Sequence, residues 1–200
     1  MPLGANKAAI MGVAGTAAAA DVVFITSNAS DTTDLTSIDF TSGIDSTYGE
    51  YIFHFYNINP ATDDVSLQFQ VNATDGADYN DSNITSTTFE ARDDEGNTVN
   101  TMQYVAGADL ANAADAFQTL MGNIGSGGDE SVSGWLHLFN PSSTTYAKHF
   151  IAETSANTYN NTIVHFFTAG YINDTTAIDD IRFKMSSGNL DGLIKMWGVK

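Results

Sequence analysis

The 200-residue chain has no cysteine, three prolines, two tryptophans, and only seven lysines and arginines against twenty-four aspartates and glutamates. Without cysteine there is no disulfide, no thiolate metal ligand and no cysteine nucleophile, so the fold must hold by packing alone. A formal net charge of −17 repels phosphate and anionic lipid, which are normally bound by clustered Lys and Arg, so direct nucleic-acid binding is not expected. No run of about eighteen apolar residues occurs, so no membrane partner is expected. Chemical motifs are missing as well. There is no G-x-S-x-G, H-E-x-x-H, P-loop or dinucleotide fingerprint, which leaves enzymatic and cofactor chemistry no visible seat.

What is present is apolar material for a core: 42% hydrophobic residues, with twelve Phe and eight Tyr. That content excludes disorder through lack of apolar surface, and the length suits one domain. "DVVFIT" from Asp21, "TSIDFTS" and "YGEYIFHFYNINP" read as strands, the last with Tyr51, Phe53 and Phe55 on one side and Ile52, His54, Tyr56 and Ile58 on the other, both sides covered. In "VSLQFQVN", Val65, Leu67, Phe69 and Val71 alternate with polar residues, the mark of a strand with one wet face. Between Asp109 and Ile124 the period changes: Leu110, Ala113, Ala114, Phe117, Leu120, Met121 and Ile124 recur at three- and four-residue steps, which predicts a helix ended by "GSGGDE". Strands resume in "SVSGWLHLFNP", "YAKHFIAET", "TIVHFFTAGYI", "AIDDIRFKM" and "GLIKMWGV". Roughly ten strands and one short helix argue for an all-β antiparallel sandwich of the jelly-roll kind. This domain covers residues 21–200, preceded by an Ala/Gly-rich N-terminal arm over 1–20.

Four groups of residues bear on chemistry. His54, His137, His149 and His165 each fall inside a strand beside aromatics, and a zinc site needs three converging ligands, so packed or hydrogen-bonded histidines are the expectation. Adjacent carboxylates at Asp63-Asp64, Asp93-Asp94, Asp129-Glu130 and Asp179-Asp180 point to opposite faces of a strand or lie in turns, unlike the paired acids of a glycosidase. "DGADYNDSN" offers Asp75, Asp78, Asn80 and Asp81 as oxygen ligands, without the order of an EF-hand loop, and reads as an Asx-rich turn. The scarce cations are concentrated near the end, where Arg182, Lys184, Lys195 and Lys200 hold four of the seven.

"GANKAAIMGVAGTA", "STYGEYIFHFYNINPATDDVSLQFQVN", "LHLFNPSSTTYAKHF" and "IRFKMSSGNLDGLIKMWGVK" together resemble a family of small virion structural proteins of tailed bacteriophages, chiefly of marine bacteria. The closing pattern is similar to the last hairpin of concanavalin-like jelly-roll domains in capsid and tail appendages. The resemblance implies a location in the virion and a non-enzymatic building block: a capsid decoration or cement protein, or a head or tail appendage subunit. Its partners would be other virion proteins or further copies of itself in a homo-oligomer. The alternative on the same fold is a carbohydrate-binding module that recognises a host-surface glycan.

Two contact regions are expected. Lys7, Ile10, Met11 and Val13 would anchor the arm on a neighbour, unless the arm folds back on its own domain. Arg182, Lys184 and Lys195 would form a cationic strip on one face of a terminal hairpin, complementing an acidic neighbour. The same lysines also suit a simpler purpose, protecting a sheet edge from unwanted pairing.

Overall fold

Strand-forming alternation runs through nearly all of the chain. The computed structural model describes residues 21–73, 79, 82–114 and 116–200. It contains twelve strands: β1 (Val22–Leu35), β2 (Ile38–Phe40), β3 (Glu50–Pro60), β4 (Val65–Ala73), β5 (Ile84–Asp94), β6 (Asn100–Tyr104), β7 (Gln118–Ile124), β8 (Val132–Phe139), β9 (Lys148–Asn157), β10 (Thr162–Ile172), β11 (Ile178–Met185) and β12 (Leu190–Val199). They pair antiparallel into an eight-stranded sheet, β1-β12-β3-β8-β9-β10-β5-β6, and a four-stranded sheet, β2-β11-β4-β7. The chain crosses from the large sheet to the small one and back in β3-β4-β5 and again in β10-β11-β12. The molecule is an all-β antiparallel sandwich. The expected arm, with Lys7, Ile10, Met11 and Val13, lies outside the described residues, as do Asp75, Asp78, Asn80 and Asp81.

One side chain ties the layers together. Phe183 of the small sheet is fully buried, with its ring 5.2 Å from Phe55 and 5.4 Å from Phe53 of the large sheet, and 6.3 Å from Phe40 and Phe69 in its own. Most of these contacts are edge-on or tilted, the arrangement favoured by the ring quadrupole, and each is worth about 0.5–1.5 kcal/mol beyond area burial. Lys148 is also fully buried. Its ammonium donates to the backbone carbonyls of Asp174 and Thr176, fastening the turn before β11 to the start of β9, and burial lowers its pKa.

The predicted helix over 109–124 is not formed. Asn112 sits at a left-handed φ of 53°. Residues 105–114 run as irregular chain with a single bridge, Ile84 to Ala113, and Gln118–Ile124 is strand β7 at the small sheet's edge. Pairing with β4 outweighs local helix propensity. Register shifts between β4 and β7 allow Leu120 and Met121, adjacent in sequence, both to be buried, and this imitates a helical period. Strand β6 had no counterpart in the sequence reading, since all five of its residues are exposed.

Two further expectations change. The polar side of β4 is not wet: Gln70 and Asn72 are buried, with the Gln70 amide donating to the carbonyls of Ala116 and Ser82. Strand β3 is covered on one side only, for Tyr56 is exposed and Ile52 and His54 are half-buried. Ile58 leaves their side through a register shift at Asn57, whose φ is 49°, and is buried in the core. Positive φ recurs at Asp64, Asn97, Asn123, Asn140 and Asn161, and this accounts for much of the chain's Asn-rich turns, because Asn and Asp tolerate the left-handed region best among side-chain-bearing residues.

Candidate functional site

The outer face of the large sheet carries the most unusual surface. Alternation along each strand sends one set of side chains to the core and the other outward. On adjacent strands the outward set aligns into a row: Lys195, His54, Trp135, Glu153, Phe167, Phe89 and Tyr104 are successive cross-strand neighbours from β12 to β6. At the usual strand spacing the row is about 29 Å long. A second row beside it contains Phe24, Trp197, Ile52, His137 and Ile151.

The rings on this face are organised. Phe89 and Phe167 stack at 4.7 Å with 9° between planes, and His165 stacks on Phe167 at 4.3 Å. Phe24 meets Trp197 edge-on at 5.2 Å, and Trp135 meets His137 at 4.6 Å. Phe89, Phe167, Trp135 and Ile151 wall a mainly apolar cleft of about 220 Å³, with Glu153 at its side. Phe24, Phe89, Tyr104 and Ile151 are each more than 40% exposed, so this apolar surface faces solvent.

Acids on the face are matched by histidines. His165 Nε2 lies 3.0 Å from Glu153 Oε1, and His137 Nδ1 contacts Glu50 Oε1 directly. Partial burial lowers the pKa of His54, and His137 and Lys195 lower it further. Three of the four histidines therefore interact with a charged or aromatic neighbour, and His149 lies against Tyr171. Among the described residues, no three His, Asp or Glu side chains converge closely enough to hold a metal ion.

The expected cationic strip is not one surface. β11 lies between β2 and β4 in the small sheet, and β12 lies between β1 and β3 in the large sheet. They are not a hairpin, because the Ser186–Asn189 turn carries the chain across the sandwich: Ser186 N–H donates to Ser66 and Ala61 N–H to Asn189. Arg182 and Lys184 therefore belong to one outer face and Lys195 to the other. The alternation itself is as read, with Phe183, Met185, Ile194 and Met196 all buried.

Each of these cations has a partner within the chain. Arg182 Nε and Nη2 donate to the Asp39 carboxylate at 2.6–3.1 Å, and the guanidinium lies 4.2 Å from the Tyr79 ring centre. The Asp39 hydrogen bond raises the Arg182 pKa, while burial, with Asp39 and Asp180 nearby, pushes Tyr79 up to about 12. Lys184 sits over Phe117 at 4.3 Å and Lys195 over Tyr56 at 4.8 Å. The residues the sequence reading missed are Trp135, Glu153, Phe167 and Phe89. Their signal is an aromatic or aliphatic residue on the non-core side of "GWLHLF", "HFIAET" and "VHFFTA", where a simple surface strand would be polar.

No family model matches the chain, and no curated protein matches it. Among solved structures, a structural-genomics protein of unknown function from Bacteroides ovatus matches over 70% of this chain and 46% of its own, at 9% identity and a TM-score of 0.19, a likeness too slight to carry an argument.

Proposed function

We propose that this chain is a non-enzymatic structural subunit of a bacteriophage virion, a capsid decoration or cement protein or a head or tail appendage subunit, that works by protein–protein contact through the aromatic face of its large sheet. The observation that carries the reading is that face. A chain of net charge −17 repels acidic neighbours over most of its surface. Around Trp135 and Phe167 the two acids, Glu50 and Glu153, are met by His137 and His165, and exposed rings replace charge. Close approach of another subunit costs least there, and exposed rings of this kind supply interface anchors. The resemblance to virion structural proteins supplies the setting.

The test is incorporation. Trp135→Ser combined with Phe167→Ser should leave a folded chain and reduce its amount in purified particles at least tenfold, measured against the major capsid protein. Equal incorporation of variant and wild type defeats the reading. A second reading, a glycan-binding module, is favoured by the cleft itself, since ring faces beside the Glu153 acceptor suit sugar stacking and hydroxyl recognition. Saccharide selectivity on a glycan array, lost in the same double variant, would favour that reading over subunit contact.

A further inference from the structure

The two sheets differ in width, and the difference produces a second site. Beyond β7, the edge of the small sheet, the large sheet continues into β5 and β6. The inner side of this overhang is covered by the irregular segment from Val105 rather than by a strand, and it holds polar groups where the rest of the interior is apolar. Glu90, fully buried on β5, accepts from Gln103 Nε2 at 2.6 Å and lies 2.6 Å from Arg92 Nε, both through Oε1. The second contact has the distance of an ion pair but not the N–H direction of a hydrogen bond. Glu90 Oε2 is buried with no hydrogen-bond partner in the protein. Gln118, also fully buried, donates from Nε2 to the carbonyls of Ala108 and Thr119 at 2.8 Å, and its Oε1 likewise has no partner.

These two groups flank a cavity of about 210 Å³ between the sheets. Arg92, two residues from Glu90 on the same strand face, lines it, as does Phe166, the cross-strand neighbour of Glu90. Thr119, next to Gln118, and Ala108, its hydrogen-bond partner, line it too. Buried acceptors without donors cost about 1–3 kcal/mol each, so a group that donates to both is strongly favoured.

We propose that this cavity binds a small neutral polyhydroxylated molecule, a single sugar ring or a polyol of similar size. Hydroxyl groups donate to Glu90 and Gln118 and accept from Arg92, while Phe166 and Val105 meet the C–H face of the ring. Glu90 and Arg92 cancel in charge, so neither a strong anion nor a cation is favoured. The volume falls below the ~300–1,000 Å³ of sites for drug-sized ligands, which limits the occupant to one ring. This inference is independent of the docking reading, since no residue of the cavity lies on the outer aromatic face.

The test is a titration of the full chain with glucose, N-acetylglucosamine and glycerol, followed by amide and Arg92 side-chain N–H resonances in two-dimensional ¹H–¹⁵N spectra. At least one probe should shift Gly107, Ala108, Gly122 and the Arg92 Nε–H saturably in the millimolar range. A Cβ at Gly122 stands in ordinary contact, 3.7 Å from Ser66 Oγ and 3.8 Å from Phe166 Cζ. Gly122→Ala should therefore fold and weaken the response, and Gly122→Val, which occupies the cavity further, should abolish it. Glu90→Gln should weaken binding about tenfold, as expected for loss of a charged acceptor. Absence of any shift with all three probes overturns the proposal. So does a response unchanged in both Gly122 variants, or one confined to Trp135, Phe167 and their neighbours on the outer face.

Discussion

The two outer faces of the sandwich are built from the same alternation and finish differently. Over the small sheet, the chain closes on itself. Arg182 is held by Asp39 and stacked on Tyr79, Lys184 lies over Phe117, and Gln70 is covered through its bonds to Ser82 and Ala116. Over the large sheet, Phe24, Phe89, Tyr104 and Ile151 remain exposed beside Trp135 and Phe167. The contrast teaches that scarce cations do not by themselves mark a contact surface. Here they are engaged within the chain, and the surface left open is aromatic.

If both faces rest on one core, removing its centre must disturb them together. Phe183→Ala should cost about 3–5 kcal/mol in chemical denaturation, in a single transition reported alike by Trp fluorescence and circular dichroism. Two separated transitions would show the sheets to be independent. The next effect belongs to the closed face. Arg182→Met leaves Asp39 without its bidentate donor and should lower stability by about 1–2 kcal/mol, moderated because the pair is partly exposed, with no change in self-association by sedimentation. On the open face the balance should reverse. Trp135→Ser with Phe167→Ser should change unfolding free energy by about 1 kcal/mol or less while weakening association.

The smallest effect is one of pH. The folded-state pKa of His54 lies below the ordinary value of 6.5, so the unfolded chain binds the proton more readily. The contribution of neutral His54 to stability is present above pH 6.5 and is lost as pH falls through the lowered folded pKa. Wild type should show a decline in Tm over that window that is shallower in His54→Gln. Identical profiles would mean that His54 is not measurably desolvated by its neighbours on the open face.

How legible each feature was depended on whether its cause was local. The alternation of Val65, Leu67, Phe69 and Val71 reports its burial directly, since a strand's period is written in adjacent residues. The segment from Leu110 to Ile124 misleads because its burial depends on β4, which supplies register shifts that place Leu120 and Met121 on one side. Which strand lies beside which was also hidden. The Ser-Ser-Gly-Asn turn fits a hairpin by composition, yet it spans the sandwich, so Arg182 and Lys195 end on opposite faces. Of the candidate site, the four histidines were visible as interacting strand residues. The alignment of Trp135, Glu153, Phe167 and Phe89 exists only once four strands are in register, and no single segment encodes it.

The pairing of β1 with β12 has a mechanical meaning. Val22 opposes Val199, and Lys200 N–H donates to the Asp21 carbonyl at 2.9 Å, so residues 21 and 200 lie side by side at the same end of an antiparallel pair. Tension applied between these two points loads one hydrogen-bonded rung at a time and opens the pair like a zipper. Tension spread over the face of the sheet loads many rungs in parallel. A particle under internal pressure that carried this subunit by its two strand ends would hold it weakly, and one that gripped it across the sheet would hold it firmly.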